Sequence, residues 1–179
     1  MEKRIANIII SAAGGTAGKG AKTNKIALPS SWVSVLGITE DSRQVELTFD
    51  GTAITIACRL RVEEFAVLKL AAGHDLRRVH YYDGNVLCTV ICADFSDHTL
   101  AVENYTTDLV KTAFGRNDVP VWEDFEAFLE ERCIPRARAG LREYLETLCL
   151  EEYEPLAILQ KTAGRMAEDN QWLELEALL

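Results

Sequence analysis

The segment 22–38 constrains the fold of this chain more than any other part of its sequence. It predicts a short basic strand over Lys25–Leu28, which Pro29 ends because proline cannot donate a hydrogen bond to a neighbouring strand. Proline also suits the first turn of a helix. Three apolar residues then follow at helical spacing: Trp32, Val35 and Leu36. Gly37 is placed to stop the helix, so the segment predicts a strand, one or two helical turns and an abrupt end.

Short strands are predicted on both sides of that segment. Before it, Ile5–Ser11 is rich in isoleucine, and the glycine-rich stretch 12–21 predicts a mobile loop or hairpin turn. After it, apolar and polar residues alternate over Gln44–Phe49 and again over Thr52–Cys58. Asp50-Gly51 between them is a strong tight-turn signal, so the first 58 residues predict four short strands and one helical turn.

This order resembles the AbrB/MazE/SpoVT family of small DNA-binding domains over about residues 5–58. The motifs that carry the resemblance are Leu28-Pro29-x-x-Trp32 and Leu36-Gly37-Ile38. The resemblance implies a swapped-hairpin homodimer, in which two chains interleave their strands into one small β-barrel that binds double-stranded DNA. Physical arguments also favour a partner, because four short strands and one helical turn expose strand edges and bury little surface alone.

The resemblance implies DNA contacts in and beside the glycine-rich loop. The candidate residues are Thr16, Lys19, Lys22, Thr23 and Lys25. Glycines let a backbone approach a phosphate closely, and lysine is a point charge suited to phosphate, whereas bidentate reading of bases favours the arginines that are frequent in the family. The loop is also longer than is usual in the family. We therefore expect phosphate contacts; the alternative for the three lysines is an ordinary solvated loop.

Charge is distributed unevenly along the chain. The formal net charge is −9, yet residues 1–30 carry five basic groups against Glu2 alone, a net charge of +4. Residues 61–179 carry 12 basic and 23 acidic groups, a net charge of −11. A basic end can bind a polyanion over a distance of about one Debye length, roughly 8–10 Å, even when the whole protein is acidic. The acidic remainder suits a basic protein partner.

The rest of the chain predicts mixed structure. A helix over Val62–Ala72, ended by Gly73, is expected to bury Phe65, Leu68 and Ala72. A three-stranded meander is predicted next, over Leu76–Tyr82, Val86–Ala93 and Thr99–Glu103. Helices are then predicted over Thr106–Phe114, Val121–Arg132, Arg136–Leu150, Pro155 to about Gly164, and Glu168–Leu179.

The predicted fold class is therefore α+β. An N-terminal swapped-hairpin β-barrel dimer is followed by a small α/β meander region and an all-helical C-terminal part. Two domains are expected: a DNA-binding and dimerisation domain over 1–58, and an acidic partner-binding domain over 59–179.

Two patterns that suggest an enzyme or a metal site fail on their spacing. The loop around Lys19 lacks the glycine of a phosphate-binding loop at Ala13, and Gly20 stands where such a loop needs serine or threonine. Cys88 and Cys92 are expected on one face of a strand, where a separation of roughly 13 Å is too long for two zinc thiolates. With five scattered cysteines, buried free thiols are expected rather than disulfides or metal ligands.

Charged groups on the helices favour structural roles. The carboxylates of the predicted helix 121–132 lie opposite its aromatic side, which indicates a solvated face rather than paired catalytic acids. The basic cluster Arg132, Arg136, Arg138 and Arg142 is expected to pair with those carboxylates; a second anion site is the alternative. No nucleophile–base spacing is recognisable, so neither catalysis nor a cofactor nor a bound metal is expected.

Several motifs beyond Tyr105 resemble the ends of small uncharacterised bacterial proteins, and the resemblance implies no activity. They are Ala113-Phe114-Gly115, Trp122-Glu123-Asp124-Phe125, Phe128-Leu129-Glu130-x-Arg132-Cys133-x-Pro135-Arg136 and Lys161-Thr162-x-Gly164-Arg165-Met166.

The sequence therefore predicts a cytoplasmic, dimeric transcription regulator of antitoxin type. Its N-terminal domain binds operator DNA, and residues 59–179 hold a protein partner such as a toxin encoded next to it. The first alternative is an interaction module that uses the AbrB-like fold only to dimerise. The second is a small enzyme with an unrecognised site in its central α+β part. No segment has the roughly 20 apolar residues of a membrane span, and the apolar run near the N-terminus is too short for a signal peptide.

Overall fold

The computed structural model describes residues 2–13, 18, 20–40 and 43–178. The chain divides into two compact units, unit 1 over Met1–Arg59 and unit 2 over Leu60–Leu179. Antiparallel sheets and five helices make the fold mixed α+β, as predicted. None of the described helices is long and apolar enough to cross a membrane.

Unit 1 begins with a two-stranded hairpin. Its strands are β1 (Ile9–Ala12) and β2 (Lys22–Lys25), paired antiparallel. The Ala13 amide donates to the Ala21 carbonyl at 2.9 Å and extends the ladder toward the loop. Both strands lie closer to that loop than the sequence predicted, because pairing across the hairpin, rather than isoleucine content, decides where each strand ends.

The middle of unit 1 follows the sequence pattern closely. Helix α1 (Ser30–Val35) begins directly after Pro29. It ends at Val35, with Leu36 as C-cap, and Gly37 follows at φ +71°. The Ile38 amide donates back to the Val33 carbonyl at 3.1 Å. This left-handed glycine stop is the end that the sequence predicted.

A second hairpin completes unit 1. Its strands are β3 (Val45–Phe49) and β4 (Ile54–Cys58), again antiparallel. The Asp50 carboxylate accepts from the backbone amides of Thr52 and Ala53, both at 2.8 Å, and fixes the predicted turn. The two hairpins form separate two-stranded sheets, and no closed barrel is present within the described part of one chain.

Unit 2 is built around one four-stranded antiparallel sheet. Helix α2 (Val62–Ala71) comes first, and the strands are β5 (Leu76–Asp83), β6 (Val86–Asp94), β7 (Thr99–Asn104) and β8 (Gln171–Leu178). The strand order is β7-β6-β5-β8. The predicted meander is therefore correct, and the last strand of the chain adds to its β5 edge.

The prediction of an all-helical C-terminal part is wrong, because residues 171–178 form β8 instead of a helix. All eight of its residues pair with β5, from Gln171 opposite Asp83 to Leu178 opposite Leu76. The spacing of Trp172 and Leu175 suggested a helix. The alternation of leucine and glutamate after Trp172 is the stronger signal, since it puts Leu173 and Leu175 on the core side of a strand.

Three helices lie between β7 and β8. They are α3 (Trp122–Glu131), α4 (Leu141–Thr147) and α5 (Pro155–Thr162). The α4 helix is shorter than predicted, because Gly140 adopts φ +80° and the helix starts only after it. The predicted helix over Thr106–Phe114 is absent: these residues form turns. The Thr106 hydroxyl and Asp108 carboxylate accept from amides two residues on, and such local bonds compete with a helix.

Side chains on the two sides of the sheet form two hydrophobic clusters. The larger joins the sheet to α3, α4 and α5 through Phe125, Leu145 and Ile158 respectively. The smaller joins it to α2. Of the predicted buried stripe of α2, Phe65 is buried, whereas Leu68 is 58% exposed and Ala72 is exposed. Val62 and Ala66 are buried in their place.

Cys88 and Cys92 face opposite sides of the sheet, contrary to the prediction that they share one face. The register of β5 and β6 shifts so that Tyr81 pairs with Thr89 and Tyr82 with Leu87, which leaves Cys88 without a cross-strand partner. This bulge reverses the alternation of side chains. Cys88 lies in the larger cluster and Cys92 in the smaller, so both are buried free thiols, as expected.

Candidate nucleic-acid interface

Three of the five predicted DNA-contact residues lie on the first hairpin. Lys22, Thr23 and Lys25 all lie on β2, and Thr16 and Lys19 lie outside the described residues. Thr23 is half-buried and both lysines are exposed. The hairpin therefore presents its described polar residues along one strand.

The pairing register separates the two lysines. Lys25 lies opposite Ile9 and Lys22 opposite Ala12, and residues directly opposite one another share a face of the ladder. Since side chains alternate along a strand, Lys25 and Thr23 share one face and Lys22 lies on the other. A single duplex lying flat on the hairpin meets Lys25 and Thr23 on one face, or Lys22 on the other.

Basic side chains of unit 1 are available to an anionic ligand. Six are described and all are exposed: Lys3, Arg4, Lys22, Lys25, Arg43 and Arg59. Among the described residues, none of these six is within ion-pair distance of a carboxylate. Unit 2 differs, since eight of its basic side chains are in ion pairs: Arg61, Lys69, Arg77, Arg78, Lys111, Arg132, Arg136 and Arg142.

The second hairpin carries an apolar face that is open to solvent. Leu47 lies opposite Ile56 and Phe49 opposite Ile54, so the alternating residues of both strands form one apolar patch. Leu47 is 65%, Phe49 68% and Ile54 68% exposed. Soluble proteins rarely leave large apolar side chains exposed in a contiguous patch, and such a patch marks an interaction surface.

The described residues of unit 1 form no buried core. None of its described side chains is buried. Further exposed apolar residues are Ile5, Ile8, Ile9, Ile10, Ile26, Val35 and Leu36. Trp32 is held by its neighbours, because its Nε1 donates to Glu2 at 2.7 Å and Arg4 lies over its ring at 5.9 Å. Among the described residues, the apolar side chains of unit 1 therefore form one layer, and no second layer of structure covers them.

A second cluster of charged and polar side chains, which was not predicted from the sequence, lies at one end of the unit 2 sheet. Asp94 is fully buried, and its Oδ2 contacts Lys69 Nζ at 2.8 Å and His74 Nδ1 at 2.7 Å. Its Oδ1 accepts from the amides of Ser96 and Asp97. Burial raises the pKa of Asp94, but these hydrogen bonds outweigh burial and bring it down to about 2.

The same cluster has the composition of a metal site, but a lysine ammonium already contacts both of its carboxylates. His74, Asp94 and Asp97 lie close enough together to hold a cation. The Lys69 ammonium lies between the two carboxylates, at 2.8 Å from Asp94 and 2.7 Å from Asp97. The arrangement therefore ties α2 to the β6–β7 turn. In the sequence, only the turn Asp94-Phe95-Ser96-Asp97 indicated this cluster, because Lys69 and His74, its other two members, are distant from the turn in sequence.

Only one of the four clustered arginines, Arg136, pairs with a carboxylate of α3 as expected, and Arg138 has no ion pair among the described residues. Arg136 pairs with Glu130 of α3 at 2.7 Å, and Arg142 pairs with Glu146 at 3.1 Å. Arg132 is buried and instead pairs with Asp169. The carboxylates of α3 lie on its exposed side, as predicted, while Phe125, Phe128 and Leu129 are buried.

Comparison with known proteins adds no functional assignment. A scan against protein-family models finds no match, and searches of curated proteins and of solved structures find none either.

Proposed function

We propose that this chain is a homodimeric DNA-binding transcription regulator of antitoxin type. Unit 1 forms a swapped-hairpin barrel with a second copy and binds double-stranded operator DNA. Unit 2 holds a basic protein partner, such as a toxin. The resemblance of residues 5–58 to the AbrB/MazE/SpoVT family gives the proposal its class.

The observation that carries the proposal is that the described residues of unit 1 form no buried core. Its hairpins and helix leave every described side chain at least partly exposed, including the Leu47 and Phe49 face. Two-stranded hairpins are marginally stable in water on their own. A second copy would cover the apolar faces and pair the open strand edges, which supports dimerisation through unit 1.

Charge supports DNA as the ligand of that dimer. Lys22, Lys25 and the other described basic groups of unit 1 are exposed and unpaired among the described residues, in an otherwise acidic protein. A two-fold dimer doubles each of these charges. Lysine contacts to phosphate supply affinity that does not depend on base sequence, so we expect strong salt dependence.

Dimerisation is tested by sedimentation equilibrium of the full chain. We expect a mass of twice 19.9 kDa. Leu47→Lys puts a charge on the exposed apolar face and should shift the mass toward the monomer. Thr48→Lys is the matched control, because residue 48 lies on the opposite face of the same strand. A monomeric wild type contradicts the proposal.

DNA binding is tested by a gel shift with the DNA upstream of the protein's own gene. The wild type should shift it at low salt, and Lys19/Lys22/Lys25→Ala should not. A dimer that shifts no DNA at low salt would instead support the alternative, an interaction module that uses the fold only to dimerise.

A further inference from the structure

An apolar groove with a carboxylate rim lies beside α3 in unit 2. Its volume is about 360 Å³. The apolar lining comes from Phe95, Trp122, Phe125, Leu129 and Leu156. Phe125 and Leu129 are buried and belong to the larger hydrophobic cluster, so core side chains form part of the groove lining.

The wall formed by Trp122 is fixed by its neighbours. Its ring stacks on His98 with centroids 4.6 Å apart and meets the Phe95 ring edge-on at 4.9 Å. Its Nε1 donates to Glu126 at 3.0 Å. A partner that packs on this wall would therefore find it already ordered, which lowers the entropic cost of binding.

The rim is acidic. Three carboxylates line the groove: Glu126, Glu130 and Glu154. The only basic residue of the lining is Arg136, which is already paired with Glu130 at 2.7 Å and stacks on Tyr153. Glu154 has no ion-pair partner among the described residues, and the rim keeps a net negative charge.

We propose that this groove binds a peptide segment of a protein partner in which arginine or lysine alternates with aliphatic residues. The aliphatic side chains would pack on Trp122 and Leu156, while the cation would approach Glu126 and Glu154. The inference rests on the part of the proposed function that gives unit 2 a basic protein partner, and it does not depend on DNA binding. It specifies where on unit 2 that partner binds.

The probe is a short fluorescent peptide of alternating arginine and leucine, titrated with the full chain and followed by anisotropy. We expect saturable binding that weakens with added salt. Two matched peptides separate the contributions: glutamate for arginine should abolish binding, and serine for leucine should weaken it strongly. Equal binding of all three peptides would overturn the proposal.

Charge variants locate the site. Glu126→Gln with Glu154→Gln removes two rim charges while keeping an acceptor for Trp122, and should weaken binding about fivefold to tenfold. The matched control is Glu123→Gln with Glu131→Gln, which removes two exposed charges from the same helix outside the groove. Arg136→Gln should act in the opposite direction and tighten binding, because it frees Glu130.

Three further results would overturn the proposal: no binding of the arginine–leucine peptide, equal weakening by the two glutamate pairs, or a change of sedimentation mass in Glu126→Gln with Glu154→Gln. The last would assign the groove to contact between copies of the chain. Thermal unfolding of each variant shows that the fold is intact. The gel shift is measured on the same variants, so a failure of DNA binding is seen separately from a failure of peptide binding.

Discussion

Arg132 donates two hydrogen bonds to the Asp169 carboxylate, from Nη1 to Oδ2 at 2.6 Å and from Nη2 to Oδ1 at 3.1 Å. The same guanidinium donates to the carbonyls of Gly164 at 2.7 Å and Gln171 at 2.8 Å. It therefore ties the end of α3 to the segment that leads into β8. The pKa of Asp169 is lowered, chiefly by its hydrogen bond from Arg132.

Arg132→Met should destabilise unit 2 by about 3 kcal/mol, because it leaves Asp169 and two carbonyls without their buried donor. Urea unfolding followed by near-ultraviolet circular dichroism measures the loss. Arg142→Met is the control: its pair with Glu146 is exposed on both sides, so a change of at most about 0.5 kcal/mol is expected. Equal losses in the two variants would contradict the structural role of Arg132.

Gly164→Ala should destabilise unit 2 more than Gly84→Ala. Both glycines have nearly the same positive φ, +59° and +58°, so the backbone strain from alanine is similar. An added Cβ at residue 164 would meet Leu159 Cδ2 at 3.0 Å and Arg132 Cβ at 3.2 Å, whereas nothing lies within 4 Å at residue 84. We expect an extra loss of about 1–3 kcal/mol in the same unfolding experiment, since the neighbours of residue 164 are packed. Equal losses would show that the site can relax.

Asp94 should make the stability of unit 2 depend on acid. Its pKa of about 2 in the folded chain lies below its ordinary value of 3.8, so its contribution is present above about pH 4 and is lost as the pH falls through about 2. Lys69, His74 and Asp97 face it. Asp94→Asn should therefore cost about 2 kcal/mol at pH 7, with the difference from wild type shrinking between pH 4 and pH 2.

Urea unfolding at a series of pH values tests this. Asp97→Asn is the matched control, because Asp97 contacts the same Lys69 but is 51% exposed, and it should cost less than Asp94→Asn. If the free energy of unfolding of the wild type exceeds that of Asp94→Asn by the same amount from pH 7 to pH 2, the lowered pKa of Asp94 is contradicted.

The buried thiols should resist alkylation while the chain is folded. Burial raises the pKa of both Cys92 and Cys133 to about 11, whereas Cys149 is exposed. At pH 8, a rise of the thiol pKa from the ordinary 9.0 to about 11 lowers the thiolate fraction roughly a hundredfold. Burial of the sulfur slows alkylation further. Mass spectrometry after iodoacetamide treatment should show Cys149 labelled first and the other two only in urea. Equal labelling would contradict the burial of Cys92 on β6 and of Cys133 just after α3.

Local patterns in the sequence identified most of the individual elements. The Pro29 start and Gly37 stop of α1, the Asp50-Gly51 turn and the aromatic side of α3 each depend on residues within one turn or hairpin, and all are present. Local patterns gave wrong predictions where a helical spacing of apolar residues competed with a second pattern in the same segment. The turns near Thr106 and the strand β8 each contain helical spacing that was outweighed by side-chain hydrogen bonds or by pairing with β5.

Long-range relationships could not be predicted in this way. The bulge at Cys88 depends on how β5 and β6 pair, and the alternation of residues does not show a shift of one position. Asp169 reaches Arg132 across 37 positions of sequence. In the candidate interface, the sequence supplied the lysines of β2, but only the pairing register shows that Lys22 and Lys25 lie on opposite faces.

The salt dependence of DNA binding tests the central claim most directly. Anisotropy of a labelled upstream DNA fragment gives the slope of log K against log salt for the full chain. Each phosphate contact contributes about 0.9 to the slope. A duplex on one face of the hairpin meets either Lys22 or Lys25, so at most four of the six lysines that Lys19/Lys22/Lys25→Ala removes from the dimer touch phosphate, and the slope should fall by up to about 3.6. The control Arg138/Arg142/Lys161→Ala changes the net charge equally in unit 2 and should leave the slope unchanged. No binding by the wild type at low salt, or equal effects of the two triple variants, would contradict DNA recognition by unit 1.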